Sequence, residues 1–378
     1  MPPDITDLNG LRYTCVDGCA LCCLCQPELS GEENQAFMKD AALKLGVTGR
    51  TLEGSRPKAL SLKMKEDSGS CYFLKARRCT IYERRPKYCK LFPLQVFLGD
   101  RVQVIANLSC RGITTDGAGQ PLTELVPEAE AWARRLGLEK EKDAVRQSYG
   151  ELYGDYLEND PNLTRDSLQK VSKNVLASLG FEGLIGRSLV YSSLEEEGPQ
   201  IGSLGVYFEG LSPPDLALPA LDGAREYFSG QTASALPVWT DSAFQWTTLR
   251  IRGDELELCA VGDDGGLKIL GRRPLEESPL MKFDKEGAAS ASDYAMRIID
   301  RDLMYGHAAY LHIDDDGEDP LLKVYFGALG TILLDFWFRT SAIAALSGKK
   351  MLGPKEVLEG VRAFDMDYLD LPALGGFL

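Results

Sequence analysis

The sequence predicts an α+β protein in three parts, and three observations support this prediction. Nine of the ten cysteines lie between Cys15 and Cys110, which predicts a small irregular Cys-rich metal-cluster domain over residues 1–120. Apolar residues at helical spacing then predict a helical segment over residues 121–182 that packs on this domain. Turn-rich sequence, a strand hairpin and further helices predict an α+β domain of unknown function over residues 183–378.

The Cys-rich part contains two predicted hairpins. LQVFL and RVQVIA flank a Gly-Asp pair, a two-residue turn that predicts antiparallel strands. With that turn, the numbers of opposed residues sum to 199, which places Cys89 opposite Cys110, whereas a three-residue loop would shift the register by one. The segment YFLKARR between Cys71 and Cys79 is short enough to fold back on itself and bring those two sulfurs together.

Three helices are predicted after residue 120. The first begins at Pro127, the second covers residues 145–156, and the third covers residues 168–179 and ends at Gly180. Their apolar and aromatic stripes are interpreted as core faces without chemistry.

The C-terminal part opens with a hairpin in which ELELCAV and GLKILGR are joined by a Gly-Asp-Asp-Gly turn. Cys259 in this hairpin is interpreted as a small buried apolar side chain. The remaining predicted elements are a helix around Tyr294 to Met304, a strand near Tyr310 to Ile313, an apolar helix from about Leu321 to Leu346 and a last helix after Pro354. The apolar helix contains Asp335 and Arg339, so it is predicted to be a buried core helix and not a membrane span. The acidic run at residues 314–319 lacks calcium-loop spacing and is interpreted as a solvated turn.

Charge and the first residues narrow the class of protein. A net charge of −14 argues against a general nucleic-acid binder and against an anionic membrane surface as partner. The opening MPPDITDLNGLRYT lacks the pattern of a secretory signal, so a cytoplasmic protein is expected. Residues 50–111 nevertheless carry 14 Lys and Arg against 5 Asp and Glu. This local excess is predicted to offset thiolate charge, and the alternative is a docking face for an acidic partner or nucleic acid.

The cysteines favour a metal site made of sulfur ligands alone. With no histidine near them, mixed Cys/His zinc fingers are excluded, and iron-sulfur clusters or zinc remain. The adjacent side chains of Cys22 and Cys23 point in different directions, so they are predicted to serve two metal centres. Because residues 1–112 show few core stripes, metal is expected to supply much of their stability, and chelation is expected to unfold them while the C-terminal part survives.

The run from Cys15 to Cys23, then CYFLKARRC, CTIYERRPKYC, KLFP and the final Cys-Arg-Gly resemble the CxxCxxCC cysteine-cluster family, described as zinc- or iron-chelating domains. The resemblance covers residues 12–112. It implies the metal ligands Cys15, Cys19, Cys22, Cys23, Cys71, Cys79, Cys89 and Cys110, with Cys25 as a candidate extra ligand. Two departures affect the first loop: three residues separate Cys15 from Cys19 where the family commonly has two, and Ala20 stands where glycine is usual.

The function predicted from these features is that of an iron-sulfur protein, most simply with 4Fe-4S clusters, in electron transfer with a protein redox partner. One alternative is a zinc-stabilised protein-binding module. Another is a protein-modifying enzyme related to lysine N-methylases, because larger proteins with a similar cluster motif methylate flagellin. The first three cysteines also match the radical S-adenosylmethionine spacing, but Leu21 replaces the usual aromatic residue and no barrel pattern follows. No catalytic residue, substrate or oligomeric state is predicted.

Overall fold

The computed structural model describes residues 3–49, 60–98, 101–115, 117, 119–127, 164–194, 211–212, 214–278, 280–314 and 320–371. Helices and small antiparallel sheets are mixed along the chain, so the predicted α+β class is confirmed. The predicted helices after Pro127 and over residues 145–156 lie outside the described residues, as does most of the acidic run at 314–319.

The Cys-rich part is built from short elements. Its strands are β1 (Arg12–Tyr13), β2 (Val47–Gly49), β3 (Leu60–Leu62), β4 (Leu74–Lys75), β5 (Arg78–Cys79), β6 (Leu94–Leu98), β7 (Val102–Ala106), β8 (Ile113–Thr114) and β9 (Gln120–Pro121). Its helices are α1 (Gly31–Lys39), α2 (Ala41–Lys44) and α3 (Lys87–Leu91). Strands β2–β3, β4–β5 and β6–β7 form antiparallel pairs, and β1 lies between β8 and β9.

The hairpin of β6 and β7 is confirmed, but its register differs by one residue from the prediction. Leu98 pairs with Val102 and Leu94 pairs with Ala106, so the numbers of paired residues sum to 200 and not 199. The difference arises because three residues, not two, separate the strands. Cys89 lies in α3 before the hairpin and Cys110 in the turn that follows it, so neither belongs to the paired strands.

The C-terminal part combines a four-stranded antiparallel sheet with helices. Its strands are β10 (Val238–Thr240), β11 (Trp246–Arg252), β12 (Glu255–Val261) and β13 (Leu267–Pro274), in that order across the sheet. The helices of this part, with the one that precedes it, are α4 (Arg165–Ser192), α5 (Ala217–Phe228), α6 (Lys285–Asp300), α7 (Asp302–Asp314), α8 (Leu321–Leu346) and α9 (Pro354–Tyr368). The predicted hairpin, the apolar helix and the last helix are therefore present.

Two helix predictions need adjustment, and one strand prediction is wrong. The helix predicted to end at Gly180 is broken there, where φ is 73° and ψ is −174°, but it resumes and continues to Ser192. The boundary placed between residues 182 and 183 lies inside this helix, and the division into three domains stays a prediction. The helix predicted around Tyr294 to Met304 is two helices that meet at Arg301.

The strand predicted near Tyr310 to Ile313 is wrong, because these residues belong to α7. A short apolar run fits a strand or a buried helix equally well. Here the run continues a helix that already contains the buried residues Leu303, Met304 and Ala308. His312, which lies within the predicted strand, is a buried residue of the same helix.

Helix α8 forms the centre of the largest hydrophobic cluster. It packs against α4, α5, α7 and α9. It is long and apolar enough to cross a membrane, yet 78% of its most apolar stretch of 18 residues is buried inside the protein. Two of its three charged residues form an ion pair, since Arg339 contacts Asp335 at 2.8 Å and also binds Asp367 of α9. The prediction of a core helix is confirmed, and a cytoplasmic location stays a prediction.

The Cys-rich part and the C-terminal part share cores and buried charges. Phe97 and Ile105 of the β6–β7 hairpin join the cluster around α8. Cys23 and Cys71 share another cluster with Trp246 of β11. Between α6 and α7, the fully buried Arg301 binds Asp7 at 3.3 Å and Asp365 at 2.6 Å. A buried arginine needs such paired carboxylates, so this cluster fixes the N-terminal segment on α9.

Candidate metal centre

The first cysteine loop is shaped by left-handed residues. Gly18 has φ of 76° and Ala20 has φ of 53°, so the chain reverses between Cys19 and a short 3-10 helix at Leu21–Leu24. This helix contains the adjacent cysteines at positions 22 and 23. Cys15, which follows β1, is exposed, whereas Cys19 and Cys23 are buried.

The second pair of cysteines is placed by the β4–β5 hairpin. Leu74 pairs with Cys79, and the two turn residues Ala76 and Arg77 both have positive φ, of 46° and 59°. Positive φ at both central positions is the signature of a type I′ turn. The amide of Cys71 donates to the carbonyl of Cys23 at 2.7 Å, which joins this hairpin to the first loop. The predicted fold-back of this segment is thus present.

Cys89 and Cys110 are held by different elements. The α3 helix that contains Cys89 is tied to α1, because the Lys87 amide donates to Glu33 Oε1 at 2.6 Å. Cys110 lies in a turn where its amide donates to the Asn107 carbonyl at 3.1 Å. Cys110 packs in the cluster of the β6–β7 hairpin, whereas Cys89 packs against the cluster that contains Cys71. Their predicted juxtaposition stays a prediction.

Cys22 is the electrostatic centre of the sulfurs. A hydrogen bond from Cys23, with a contribution from the Arg85 guanidinium, lowers the pKa of Cys22 to about 7. Burial and then the charge of Cys22 raise the pKa of Cys25 and of Cys89 above the ordinary value. The thiols of Cys25 and Cys89 therefore stay protonated near neutral pH, and a bound cation would favour their thiolates.

The charge of Cys22 also affects the pKa of cysteines in both halves of the Cys-rich part. Burial, together with the charges of Cys79 and Cys22, raises the pKa of Cys71 to about 11. Burial, together with the charges of Cys19 and Cys22, raises the pKa of Cys110 to about 12. Cys22 thus lies within electrostatic range of a group around Cys71 and of a second group around Cys110.

The surrounding basic residues divide between two tasks. Arg85 lowers the pKa of Cys22 and opposes the raised pKa of Cys79, as the sequence prediction of charge compensation requires. Arg78 and Arg84 instead pair with carboxylates, Asp17 and Asp40, both at 2.8 Å. Only some of the basic residues therefore compensate thiolate charge, and the others form ion pairs with carboxylates.

The C-terminal part completes the surroundings of the cysteines. Arg362 of α9 donates to the carbonyls of Cys110 and Ile113 at 2.6 and 2.7 Å. Met366, one turn further along α9, places its sulfur 3.9 Å from the Cys25 sulfur. On the sheet side, the Trp246 indole donates to the Cys19 carbonyl at 3.1 Å.

Tyr13 is a further neighbour that the sequence interpretation missed. Burial and then the charges of Cys110 and Cys15 raise the pKa of its phenol, which also hydrogen-bonds with Cys15. Its position two residues before Cys15 was the available signal. The sequence contained no such signal for Met366 and Arg362, because they lie more than two hundred residues from the cysteines that they contact.

The sulfurs are neither joined to each other nor gathered around a point. All ten cysteines are in the described part of the chain and all have free thiols. Within the described residues, no three Cys, His, Asp or Glu side chains form a group that could hold a metal ion. The structure thus brings the predicted ligands into one region without closing them on a single ion. Cys259 lies apart on β12, fully buried, as predicted.

Comparison with known proteins relates the Cys-rich part to a protein family. A protein-family model described as "CxxCxxCC: Putative zinc- or iron-chelating domain" matches residues 14–111, about a quarter of the chain. Neither the curated proteins nor the solved structures contain a match. The matched segment begins just before Cys15 and ends just after Cys110, so it contains all eight predicted ligands. Residues 14–111 are thus similar to the CxxCxxCC family of zinc- or iron-chelating domains, and this similarity supports metal binding by the Cys-rich part.

Proposed function

We propose that the Cys-rich part binds iron-sulfur clusters, most simply of the 4Fe-4S type, and that the protein transfers electrons to or from a partner protein. The donor set supports this proposal, because thiolates are the ligands that iron-sulfur clusters take. Nine cysteines lie in the segment from Cys15 to Cys110, and the electrostatic influence of Cys22 extends to most of them.

The number of sulfurs and the charge beside them favour clusters over a single zinc ion. Nine cysteines exceed the four ligands of one tetrahedral zinc site. The Arg85 guanidinium helps to lower the pKa of Cys22, and charge near the sulfurs is one of the factors that set the reduction potential of a cluster.

The chain's own residues would control access to the group and its environment. An iron-sulfur cluster supplies one-electron transfer when it is bound. Cys19, Cys23, Cys71 and Cys110 are buried, which limits contact with water, whereas Cys15 is exposed. The surface around Cys15 is accordingly the side on which we place the redox partner.

The zinc-stabilised module receives less support from the basic residues. Arg78 and Arg84 are already paired with carboxylates, and Arg111 pairs with Glu359 of α9. A docking face for an acidic protein would need these charges to be available at the surface. No observation in the described residues favours the lysine methylase alternative.

Purification under exclusion of air tests the proposal. We expect a brown protein with iron and acid-labile sulfide in equal amounts, and a broad visible absorbance that bleaches on reduction with dithionite. A colourless protein that contains stoichiometric zinc and no iron, also after reconstitution with iron and sulfide, would contradict it and support the module.

A further inference from the structure

A cavity of about 540 Å³ lies at one end of the C-terminal sheet. Its walls come from three places: Phe244 of the β10–β11 turn with Trp246 at the start of β11, the β12–β13 turn with the strand ends beside it, and Arg77 of the Cys-rich part. Pockets for small molecules commonly have volumes of roughly 300–1,000 Å³ and mostly apolar walls with a few polar groups. The cavity has this size, and its lining is mainly apolar.

One wall is a guanidinium group laid flat on an aromatic ring. The central carbon of Arg77 lies 3.8 Å from the centroid of the Trp246 ring, and Trp246 is buried beneath it. Arg77 is fixed there by hydrogen bonds to the carbonyls of Gly18, Cys19 and Phe244, at 3.2, 3.1 and 3.0 Å. These bonds use Nε and Nη2, and none of them uses Nη1. A planar cation held in this way can stack a second ring on its free face.

A second wall is an aromatic residue in a strained turn. Phe244 has φ of 59° and is 40% exposed at the mouth of the cavity. Positive φ is unfavourable for a bulky residue, and strained residues concentrate at ligand sites. The turn holds this conformation because Asp241 Oδ1 accepts from the amides of Ala243 and Gln245 at 2.8 and 2.9 Å. Glycine or asparagine would suit the backbone better, so the phenyl ring is kept against a backbone cost.

The charges of the cavity are two cations and one anion. Arg77 and Lys268 lie on the lining with Asp263, and the carboxylates of Asp241 and Asp264 lie close by. An anionic group of a ligand is therefore placed beside Lys268, because Asp263 and Asp241 already act on Arg77.

We propose that this cavity binds a planar aromatic molecule with an anionic group, of mononucleotide size or smaller. The ring stacks against Arg77 and Phe244, and the anion faces Lys268. This site is additional to the proposed iron-sulfur function and does not depend on which metal the cysteines bind.

Two side chains of the cavity share one acceptor in the first cysteine loop. Both Arg77 Nη2 and the Trp246 indole donate to the Cys19 oxygen at 3.1 Å. A ligand stacked on Arg77 is therefore separated from the first cysteine loop by one side chain.

Calorimetric titration of the full-length protein tests the site with defined probes. The probes are flavin mononucleotide and adenosine monophosphate, which have a ring and a phosphate, riboflavin, which lacks the phosphate, and ribose 5-phosphate, which lacks the ring. We expect saturable binding of at least one of the first two, weaker binding of riboflavin and none of ribose 5-phosphate.

Two variants locate the binding. Phe244→Ala should weaken the affinity for the bound nucleotide about tenfold through lost stacking. Lys268→Gln should weaken it about threefold, and this loss should shrink at high salt. The matched controls Leu358→Ala and Lys355→Gln change exposed residues of α9 and should bind as the original protein does. Metal content is measured in each variant to verify that the cysteine centre is intact.

The proposal is overturned if neither nucleotide binds saturably, or if the cavity variants bind as tightly as the controls. Riboflavin binding equal to that of flavin mononucleotide would overturn the anionic part of the assignment. Absence of iron with normal binding would contradict the proposed function alone, so the two failures are distinguishable.

Discussion

Ala20 adopts a left-handed backbone, with φ of 53° and ψ of 18°, at the start of the 3-10 helix that carries Cys22 and Cys23. A residue with a Cβ atom pays about 1–2 kcal/mol in this conformation, whereas glycine does not. The sequence had shown alanine where the resembled family commonly has glycine. The structure explains that preference, because the chain must reverse at this position before the adjacent cysteines.

Ala20→Gly is therefore expected to raise the free energy of unfolding by about 1 kcal/mol. Urea denaturation measures the change. The same substitution at Ala289, in the right-handed helix α6, should lower stability by about 1 kcal/mol and serves as the control. Equal losses at both positions would show that Ala20 is not left-handed in solution.

A pair of cysteine variants separates the metal centre from ordinary burial. Cys71 and Cys259 are both buried, at 5% and 0% exposure, but only Cys71 lies among the other cysteines. Cys71→Ser should remove about half or more of the bound metal, because serine is a poor ligand for soft metals. Cys259→Ser should keep the metal and lose roughly 1–2 kcal/mol of stability through a buried hydroxyl. Metal analysis of the folded fraction of each variant measures this difference. Equal metal content in the two variants would exclude Cys71 as a ligand.

The sequence was informative about cysteines and uninformative about the residues that surround them. Regular motifs identify sulfur ligands, since their type and spacing reflect the chemistry of the metal. Tyr13, Arg362 and Met366 reach the site only through the tertiary fold. No local pattern distinguishes them from other tyrosine, arginine and methionine residues.

At the scale of elements, the C-terminal sheet is locked by one carboxylate between two arginines. Glu257 of β12 is fully buried and binds Arg250 of β11 at 2.9 Å and Arg272 of β13 at 2.6 Å. Burial alone would raise the pKa of Glu257, but the hydrogen bonds of both arginines hold it below the ordinary value. The interaction contributes stability above the unfolded-state pKa of 4.5 and loses it as pH falls through the lower folded-state pKa.

Glu257→Gln is expected to cost about 2–3 kcal/mol at neutral pH, since it weakens two charge-assisted hydrogen bonds. The difference between the two proteins should narrow as pH falls below about 4.5, where the original side chain takes up a proton. Denaturation at several pH values measures it. Glu255→Gln, at the start of the same strand, is the control and should change little. A constant difference across this pH range would contradict the assignment.

Element predictions succeeded where the pattern was long or the turn was explicit. The apolar helix α8 has the predicted bounds, and the Gly-Asp-Asp-Gly turn lies between β12 and β13. The prediction of a strand at Tyr310 to Ile313 was wrong because a run of four residues does not show whether it continues a helix. The register of β6 and β7 shifted by one because a Gly-Asp pair does not fix the number of loop residues.

For the whole molecule, the structure predicts that metal removal affects a smaller part of the chain than the sequence suggested. The sequence suggested few core stripes before residue 112, yet the β6–β7 hairpin packs in an apolar cluster of its own, in which Cys110 is the one predicted metal ligand. The buried members of that cluster are Leu8, Leu11, Leu91, Leu94, Leu98, Val104, Ala106, Cys110, Ile113, Leu122 and Val126. Chelation should therefore loosen the cysteine loops and leave this hairpin folded.

Hydrogen exchange before and after chelation measures this difference. The amide of Cys71, which bonds to the Cys23 carbonyl, should exchange about tenfold faster or more without metal. The amides of β6 and β7 should keep their protection, and they serve as the internal reference. Loss of protection throughout residues 3–115 would show instead that metal holds the whole Cys-rich part together.

The division into domains shows where sequence information ends. Composition separated a basic, Cys-rich segment from an acidic remainder, and this contrast is real along the chain. In space, Asp7 and Arg301 share one buried cluster, as do Cys71 and Trp246. Contacts between residues so distant in sequence leave no periodicity or turn signal, so only the structure reveals that the two parts are interlocked.

The position of α9 has a consequence for the order of events during synthesis. The ribosome produces every cysteine of the centre long before it produces Arg362 and Met366, which contact Cys110 and Cys25. Until α9 has formed and docked, the cysteine region therefore lacks one side of its enclosure. We expect a metal to enter the cysteine loops most easily in that interval, before Arg362 and Met366 close over Cys110 and Cys25.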